Sequence, residues 1–168
     1  MMSVEIRLLA AEHIESIARA FEFAGLNKPA SHYERYLFEQ EQGQRTVLVA
    51  FADNDLVGYL TIAWAPDYMP LREQRIPEIQ DLNVLPRVRR KGIATQLLDK
   101  AEMIISERSG KAALGVGLLE DYGPAQRLYI LRGYVPDGCG ITYRGERVKY
   151  GDRVVVDDDL VLHLVKTF

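Results

Sequence analysis

A mixed α/β fold is what the sequence predicts, and three observations carry it. Short apolar runs of strand length recur along the chain, among them "VEIRLL", "EIQDLNVL" and "KAALGVGLL". Between them lie stretches whose apolar residues return every three or four positions, the mark of one buried helical face. Helices interrupt runs of strands rather than alternating strictly with them, so the order is not a plain strand–helix–strand repeat. With 168 residues and no repeat, low-complexity tract or linker, one domain over 1–168 with a real core is the simplest organisation.

"VEIRLL" opens as a strand, and Ile14, Ile17, Ala18 and Phe21 then mark a helical face. "SHYERYLFEQEQ" starts a second helix, with Ser31 and Glu34 at capping-box spacing. "TVLVAFADNDLVGYLTIAW" reads as two strands around an Asp-Asn-Asp turn, and Ala65 to Pro77 as a proline-containing loop. "EIQDLNVL" is the next strand. A helix from Ile93 to Ser109 follows, with Ile93, Leu97, Leu98, Ala101, Ile104 and Ile105 on its apolar face and Gly110 as its C-cap. "KAALGVGLL" is a strand, and "DYGPAQRLYILRGY" a short helix with Pro124 near its start and Gly133 past its end. "GITYRG" and "LVLHLVKTF" close the chain as two strands around a polar loop.

Composition narrows the function. A net charge of −3 argues against a general nucleic-acid binder. The single cysteine, Cys139, rules out an internal disulfide and a multi-cysteine zinc site, and the three scattered histidines show no metal-ligand spacing. No apolar run approaches the ~20 residues of a membrane span. The start "MMSVEIRLLAAEH" lacks the apolar core of a signal peptide, so a cytoplasmic protein is expected.

Against that acidic background, Arg87, Arg89, Arg90 and Lys91 crowd in front of Gly92, directly ahead of a helix. A helix N-terminus carries unpaired N–H groups and about half a positive charge. Gly92 permits a turn closed to other residues, Ala94 permits close approach, and no Ser, Thr, Asp or Asn stands before Ile93 to cap the helix. The cluster is therefore either a phosphate cradle or a solvated basic turn. It is not a triphosphatase loop, for G-x-x-x-x-G-K-S/T is absent. "GVGLLE" starts like a dinucleotide fingerprint but has Glu120 where the third glycine belongs.

"RRKGIA", Arg89 to Ala94, resembles the Gln/Arg-x-x-Gly-x-Gly/Ala signature of the GNAT superfamily of acetyl-CoA-dependent N-acetyltransferases. Some thirty residues on, "AQRLYILRGY", Ala125 to Tyr134, resembles that family's A-x-x-L-Y-x-x-x-G-F/Y helix. The order of elements is similar to the family fold over essentially the whole chain, which implies a mixed, mostly antiparallel sheet flanked by helices. One departure is Tyr122, where the family often has Asn.

The resemblance implies acetyl-CoA as acetyl donor, no metal, and a small-molecule or peptide amine as acceptor, with neither nucleic acid nor membrane as partner; a homodimer remains an option. It implies that backbone N–H groups of Arg89, Arg90, Lys91, Gly92, Ile93 and Ala94 cradle the pyrophosphate, with Arg89 adding a side-chain contact. Arg87 and Lys91 either reach the 3′-phosphate or are solvated. Backbone around Leu82, Asn83 and Val84 would hold the pantetheine arm. Tyr129 would be the general acid that protonates the leaving thiolate, its competing role being core packing with Leu128 and Leu131. An alkylammonium has a reference pKa near ~10, so a base or water must take its proton. Glu78, fourteen positions ahead of Gly92, leads for that role by its resemblance to some histone-acetylating members. Asp81 comes second, on the opposite face by strand alternation, and ordered water is the third option. Direct transfer in a ternary complex fits better than a Cys139 intermediate, because no His or Asn is tied to that cysteine. His13, His32 and His163 read as structural or surface groups. Two other readings stand beside catalysis: a non-catalytic acyl-CoA-binding module on the same fold, and a phosphate-loop interaction protein. Amino acid, polyamine, aminoglycoside, peptide and protein amines are all open as acceptor.

Overall fold

The computed structural model describes residues 1–168. In chain order its strands and α-helices are β1 (Glu5–Leu8), α1 (Ile14–Phe23), α2 (Ala30–Glu41), β2 (Arg45–Ala52), β3 (Asp55–Ala63), α3 (Met69–Glu73), β4 (Glu78–Val84), α4 (Ile93–Ser106), β5 (Lys111–Gly117), α5 (Gly123–Leu131), β6 (Val135–Tyr143), β7 (Glu146–Arg147) and β8 (Leu160–Thr167). They gather into two units, Met1–Trp64 with Ile79–Ile104, and Ala65–Glu78 with Ile105–Phe168. No helix is long and apolar enough to cross a membrane.

In the first unit the strands run β1-β2-β3-β4. Asp53 and Asn54 join β2 to β3 at φ 51° and 67°, the paired left-handed conformation of a two-residue hairpin turn. The Asp-Asn-Asp turn read from the sequence is therefore observed. Both strands are buried along most of their length, which explains their near-continuous apolar runs. Helix α1 lays Ile14, Ile17 and Phe21 into the core, and α2 adds Tyr33 and Tyr36. Phe21 and Tyr33 meet Tyr59 of β3 edge-on, with ring centroids 5.2 and 5.5 Å away. Fully burying side chains of this size contributes about 1.5–3 kcal/mol each. Gly58 does a different job. A Cβ there would lie 2.7 Å from the Asn83 carbonyl oxygen and 3.3 Å from Val84 Cα, so a hydrogen at this point lets β4 lie close against β3.

In the second unit the order is β5-β8-β6-β7, every neighbour antiparallel. With β1–β2 and β2–β3 also antiparallel, the strands have the mostly antiparallel character expected. Tyr68, Leu71, Ile76 and Ala113 form a buried cluster against which Cys139 and Val165 pack.

Four local expectations change. Helix α2 starts at Ala30 behind Pro29, whose extended backbone and missing N–H set the entry, and no side chain caps it; the Ser31–Glu34 box does not form. The proline segment 65–77 contains α3, since a proline in the first turn starts a helix as readily as it breaks one. Helix α4 stops at Ser106, the Arg108 and Ser109 N–H groups closing on the Ile105 carbonyl, so Gly110 is not its cap. Strand β6 takes in "PDGCG" as an irregular stretch between Pro136 and Ile141, with Gly138 and Gly140 at φ 84° and 78°.

Candidate functional site

The basic turn grows out of β4. After Val84 a short turn over Pro86–Val88 leads to Arg89 in extended conformation, Arg90 at φ 61° and Gly92 at φ 81°, and α4 starts at Ile93. Arg90 in the left-handed region costs about 1–2 kcal/mol, so the surroundings must hold it there. Ile93, 1 % exposed, anchors the helix start in the core while Arg87, Arg89, Arg90 and Lys91 stay at the surface. Left-handed residues beside extended and helical ones make backbone N–H groups converge, which is the geometry of an anion-binding hollow. The Arg89 Nε donates to the Val84 carbonyl at 3.1 Å, tying the turn to the strand end. Gln96 braces the turn from inside the helix, its Nε2 donating to the carbonyls of Met2 (2.7 Å) and Gly92 (3.3 Å). The Met2 N–H in turn donates to the Lys91 carbonyl at 3.0 Å. A cavity of about 470 Å³ is lined by Met1, Met2, Arg90, Lys91 and Gly92.

Further up β4, Asp81 sits at φ 54°. Asp tolerates this conformation, which departs from the regular pleat of the strand. Its carboxylate gathers a constellation within the first unit. Oδ2 accepts from Tyr59 (2.8 Å) and Tyr36 (3.1 Å) and lies 3.3 Å from His32 Nε2. Oδ1 accepts from Asn83 Nδ2 at 2.8 Å and from the Lys28 ammonium. Burial alone would raise this carboxyl's pKa, but hydrogen bonds from His32, Lys28 and Tyr59 and the Lys28 charge overcome it and hold it well below the usual range. A carboxylate so stabilised is a reluctant proton acceptor, which weakens Asp81 as a general base.

The second unit holds the two groups expected to do acid–base work. Glu78 is 6 % exposed, with Oε1 3.5 Å from His163 Nε2. His163 stacks on Tyr68, centroids 3.8 Å apart and planes 9° from parallel. The Tyr68 hydroxyl donates to Asp137 Oδ2 at 2.9 Å. His163 Nδ1 is buried without a hydrogen-bond partner. Tyr129, on α5, is 7 % exposed and meets Tyr134 edge-on at 6.2 Å. Burial pushes its pKa up to about 12, so the phenol stays protonated at neutral pH. Tyr122, at the departure from the family pattern, packs its ring where a Gly117 Cβ would be and donates to Asp158 at 3.0 Å.

A model of the acetyltransferase (GNAT) family matches residues 11–134. The chain belongs to the acetyltransferase (GNAT) family. Solved structures agree on the GNAT fold. Ribosomal-protein-alanine N-acetyltransferase from Brucella melitensis superposes with a TM-score of 0.72 at 18% identity, covering 98% of this chain and 99% of that one. An N-acetyltransferase from Staphylococcus aureus Mu50 gives 0.72 at 15% identity, covering 98% of each chain. PaiA N-acetyltransferase from Thermoplasma acidophilum, in complex with coenzyme A, gives 0.66 at 19% identity, covering 99% of this chain and all of that one. No curated protein sequence matches this one significantly.

Within this GNAT chain the first unit brings together Leu82, Asn83, Val84 and the whole Arg89–Ala94 turn, while Glu78 and Tyr129 fall in the second. Sequence reasoning missed Lys28, Tyr36 and Tyr59 around Asp81, and Tyr68 beside His163. His32 and His163, read from the sequence as structural or surface groups, each lie against a carboxylate. The only advance signal was the residue types themselves, because their partners come from distant parts of the chain.

Proposed function

We propose that this GNAT chain transfers the acetyl group of acetyl-CoA to a primary amine within a ternary complex. The observation that carries the reading is the turn of Arg90 and Gly92 at φ 61° and 81°, opening directly into α4. Backbone N–H groups from Arg89 to Ala94 suit a pyrophosphate, and the exposed cations around them add attraction for an anion. The side chain nearest to Gly92 belongs to Met1, 92 % exposed and so easily displaced. Half-buried Leu82, Asn83 and Val84 would line the pantetheine arm, with the Val84 carbonyl already accepting from Arg89.

Acetyl-CoA supplies the acyl group as an activated thioester. The acceptor nitrogen forms the new C–N bond as the C–S bond breaks. For an acceptor that arrives as an ammonium, one proton must leave the nitrogen before attack and one must reach the sulfur, while the proton shed by the nitrogen after attack goes to solvent. Glu78 takes the first, directly or through water, and its place beside His163 keeps it oriented. Tyr129 gives the second, its raised pKa keeping the proton in place until thiolate forms. The acceptor in this reading is a small-molecule or peptide amine.

The test is twofold. Acetyl-CoA at a hundred times its dissociation constant should add about 2.7 kcal/mol to the stability of the protein. An unbiased amine panel, read by coenzyme A release, should then find an acceptor. Stabilisation without release on any amine would replace catalysis by acyl-CoA binding alone. No stabilisation would remove the cradle.

A further inference from the structure

We propose that the Asp81 cluster is a recognition site for a primary alkylammonium, filled in this structure by the protein's own Lys28, and that the acceptor places there a cationic nitrogen other than the one acetylated; the second half rests on the acetyl-transfer reading above. The Lys28 ammonium bonds Asp81, lies 3.0 Å from the Tyr59 hydroxyl oxygen and sits 5.6 Å from the Tyr59 ring centroid. Carboxylate, hydroxyl and ring are what an alkylammonium needs from a site.

The site does not depend on Lys28 for its shape. Asp81 is held by Tyr36 and His32 from α2, Tyr59 from β3 and Asn83 from β4, all on regular elements. Lys28 alone comes from a connection, residues 24–29, in which Gly25, Asn27 and Pro29 are exposed. Gly25 there takes φ 81° with nothing within 4 Å of a would-be Cβ. Lys28 is thus the one member of the cluster whose backbone lies outside a helix or strand, and it reaches Asp81 through a flexible four-carbon stem. Where Lys28 swings away, the carboxylate keeps its other donors but loses the Lys28 charge, and a ligand ammonium supplies that charge again. Asp81 also directly precedes Leu82–Val84, the stretch assigned above to the pantetheine arm, and Asn83 belongs to both.

The chemistry separates two nitrogens. An amine bound to an ionised carboxylate of low proton affinity stays an ammonium and has no lone pair to attack with. A nitrogen seated at Asp81 is therefore an anchor, and the nucleophile is a second amine of the same molecule. The ligand class is a diamine, or an amine bearing another alkylammonium.

Lys28 also competes with that ligand. If the tethered ammonium fills the site nine-tenths of the time, the apparent affinity of a free one falls about tenfold. Calorimetry with 1,4-diaminobutane and no acetyl-CoA reads this independently of turnover. Lys28→Met keeps most of the stem and removes the charge. It should bind the diamine at least about tenfold more tightly than wild type. Lys28→Gln, which keeps a neutral and weaker donor for the carboxylate, should show a smaller gain and serves if the methionine variant unfolds. Lys28→Met with Asp81→Asn removes both charges, so neither is left alone, and should lose the gain. 1,4-Butanediol should not bind. No gain in either Lys28 variant, or a gain that survives Asp81→Asn, overturns the cation site. In turnover, 1,4-diaminobutane should show a KM at least about tenfold below that of 1-aminobutane, and Lys28→Met with Asp81→Asn should close the gap by raising the KM of the diamine. Equal KM values overturn the second-nitrogen claim. Diamine binding without turnover of any amine overturns acetyl transfer and that claim together, and supports the cation site.

Discussion

Replacing Gly92 by alanine tests whether the turn at the start of α4 is a cradle or only a bend. Gly92 sits at φ 81°, where a side chain costs about 1–2 kcal/mol. The new Cβ would lie 2.7 Å from Met1 Cγ, but Met1 is 92 % exposed and can swing away. Alanine also restricts the unfolded chain, which offsets part of that cost. The net loss should be about 1 kcal/mol, or a Tm lower by about 2–4 °C for a chain of this size. Binding should suffer more. If the turn relaxes towards negative φ, its N–H groups rotate away from a common focus, and each hydrogen bond to a charged phosphate is worth about 1.5–3 kcal/mol. Losing one weakens coenzyme A binding by about tenfold to a hundredfold. Gly25 supplies the control, since it has the same φ of 81° and nothing near its would-be Cβ. Gly25→Ala should lose similar stability and no affinity. Urea denaturation and calorimetry with coenzyme A measure the two quantities separately. If Gly92→Ala loses stability like Gly25→Ala and binds coenzyme A like wild type, the cradle assignment is wrong.

Arg89→Glu should lower coenzyme A affinity far more than apo stability, and equal affinities by calorimetry would take Arg89 out of the site. Tyr129→Phe removes a hydroxyl that is protonated at neutral pH and keeps the ring packed on Tyr134. Single-turnover acetyl transfer should fall toward the lower end of the ~10²–10⁴ range of general acid catalysis, and a rate within about twofold of wild type would make Tyr129 a packing residue. Glu78→Gln should cost most rate at mildly acidic pH, where neutral amine is scarcest, and an unchanged pH profile would pass the base role to water. Asp81, with its folded pKa lowered, contributes stability that is present above its unfolded value near ~4 and lost as pH falls through the folded one. Acid denaturation of Asp81→Asn should lack that component, and identical pH dependence of the two proteins below pH ~4 would refute the assignment.

The sequence made the architecture legible where local pattern and burial agree. The Ile14–Ile17–Phe21 face, the Asp53–Asn54 turn and the start of α4 at Ile93 all follow from spacing and turn chemistry. The basic turn was legible for the same reason, since its cations, its glycine and its helix are neighbours in sequence. Helix ends were less so. Pro29 and the Ile105 carbonyl decide them through backbone geometry that a capping pattern does not encode. The Asp81 cluster was out of reach. To Asp81 it joins a loop lysine, two side chains of α2 and one each of β3 and β4, from as far as 53 positions away, and the aspartate itself is left-handed, which no local pattern foretells. Long-range polar contacts of this kind have no period, so only folding assembles them.

Gly58 gives β4 a mechanical stop. Because β3 offers bare backbone there, Asn83 and Val84 already rest against it, 2.7 and 3.3 Å from where a first side-chain carbon would begin. The strand can yield outward but not inward. A molecule lying along Leu82–Val84 would therefore press on a strand already seated against β3. Adding one carbon at that seat, as Gly58→Ala does, would drive Asn83 and Val84 off it and so shift the backbone proposed to hold the pantetheine arm.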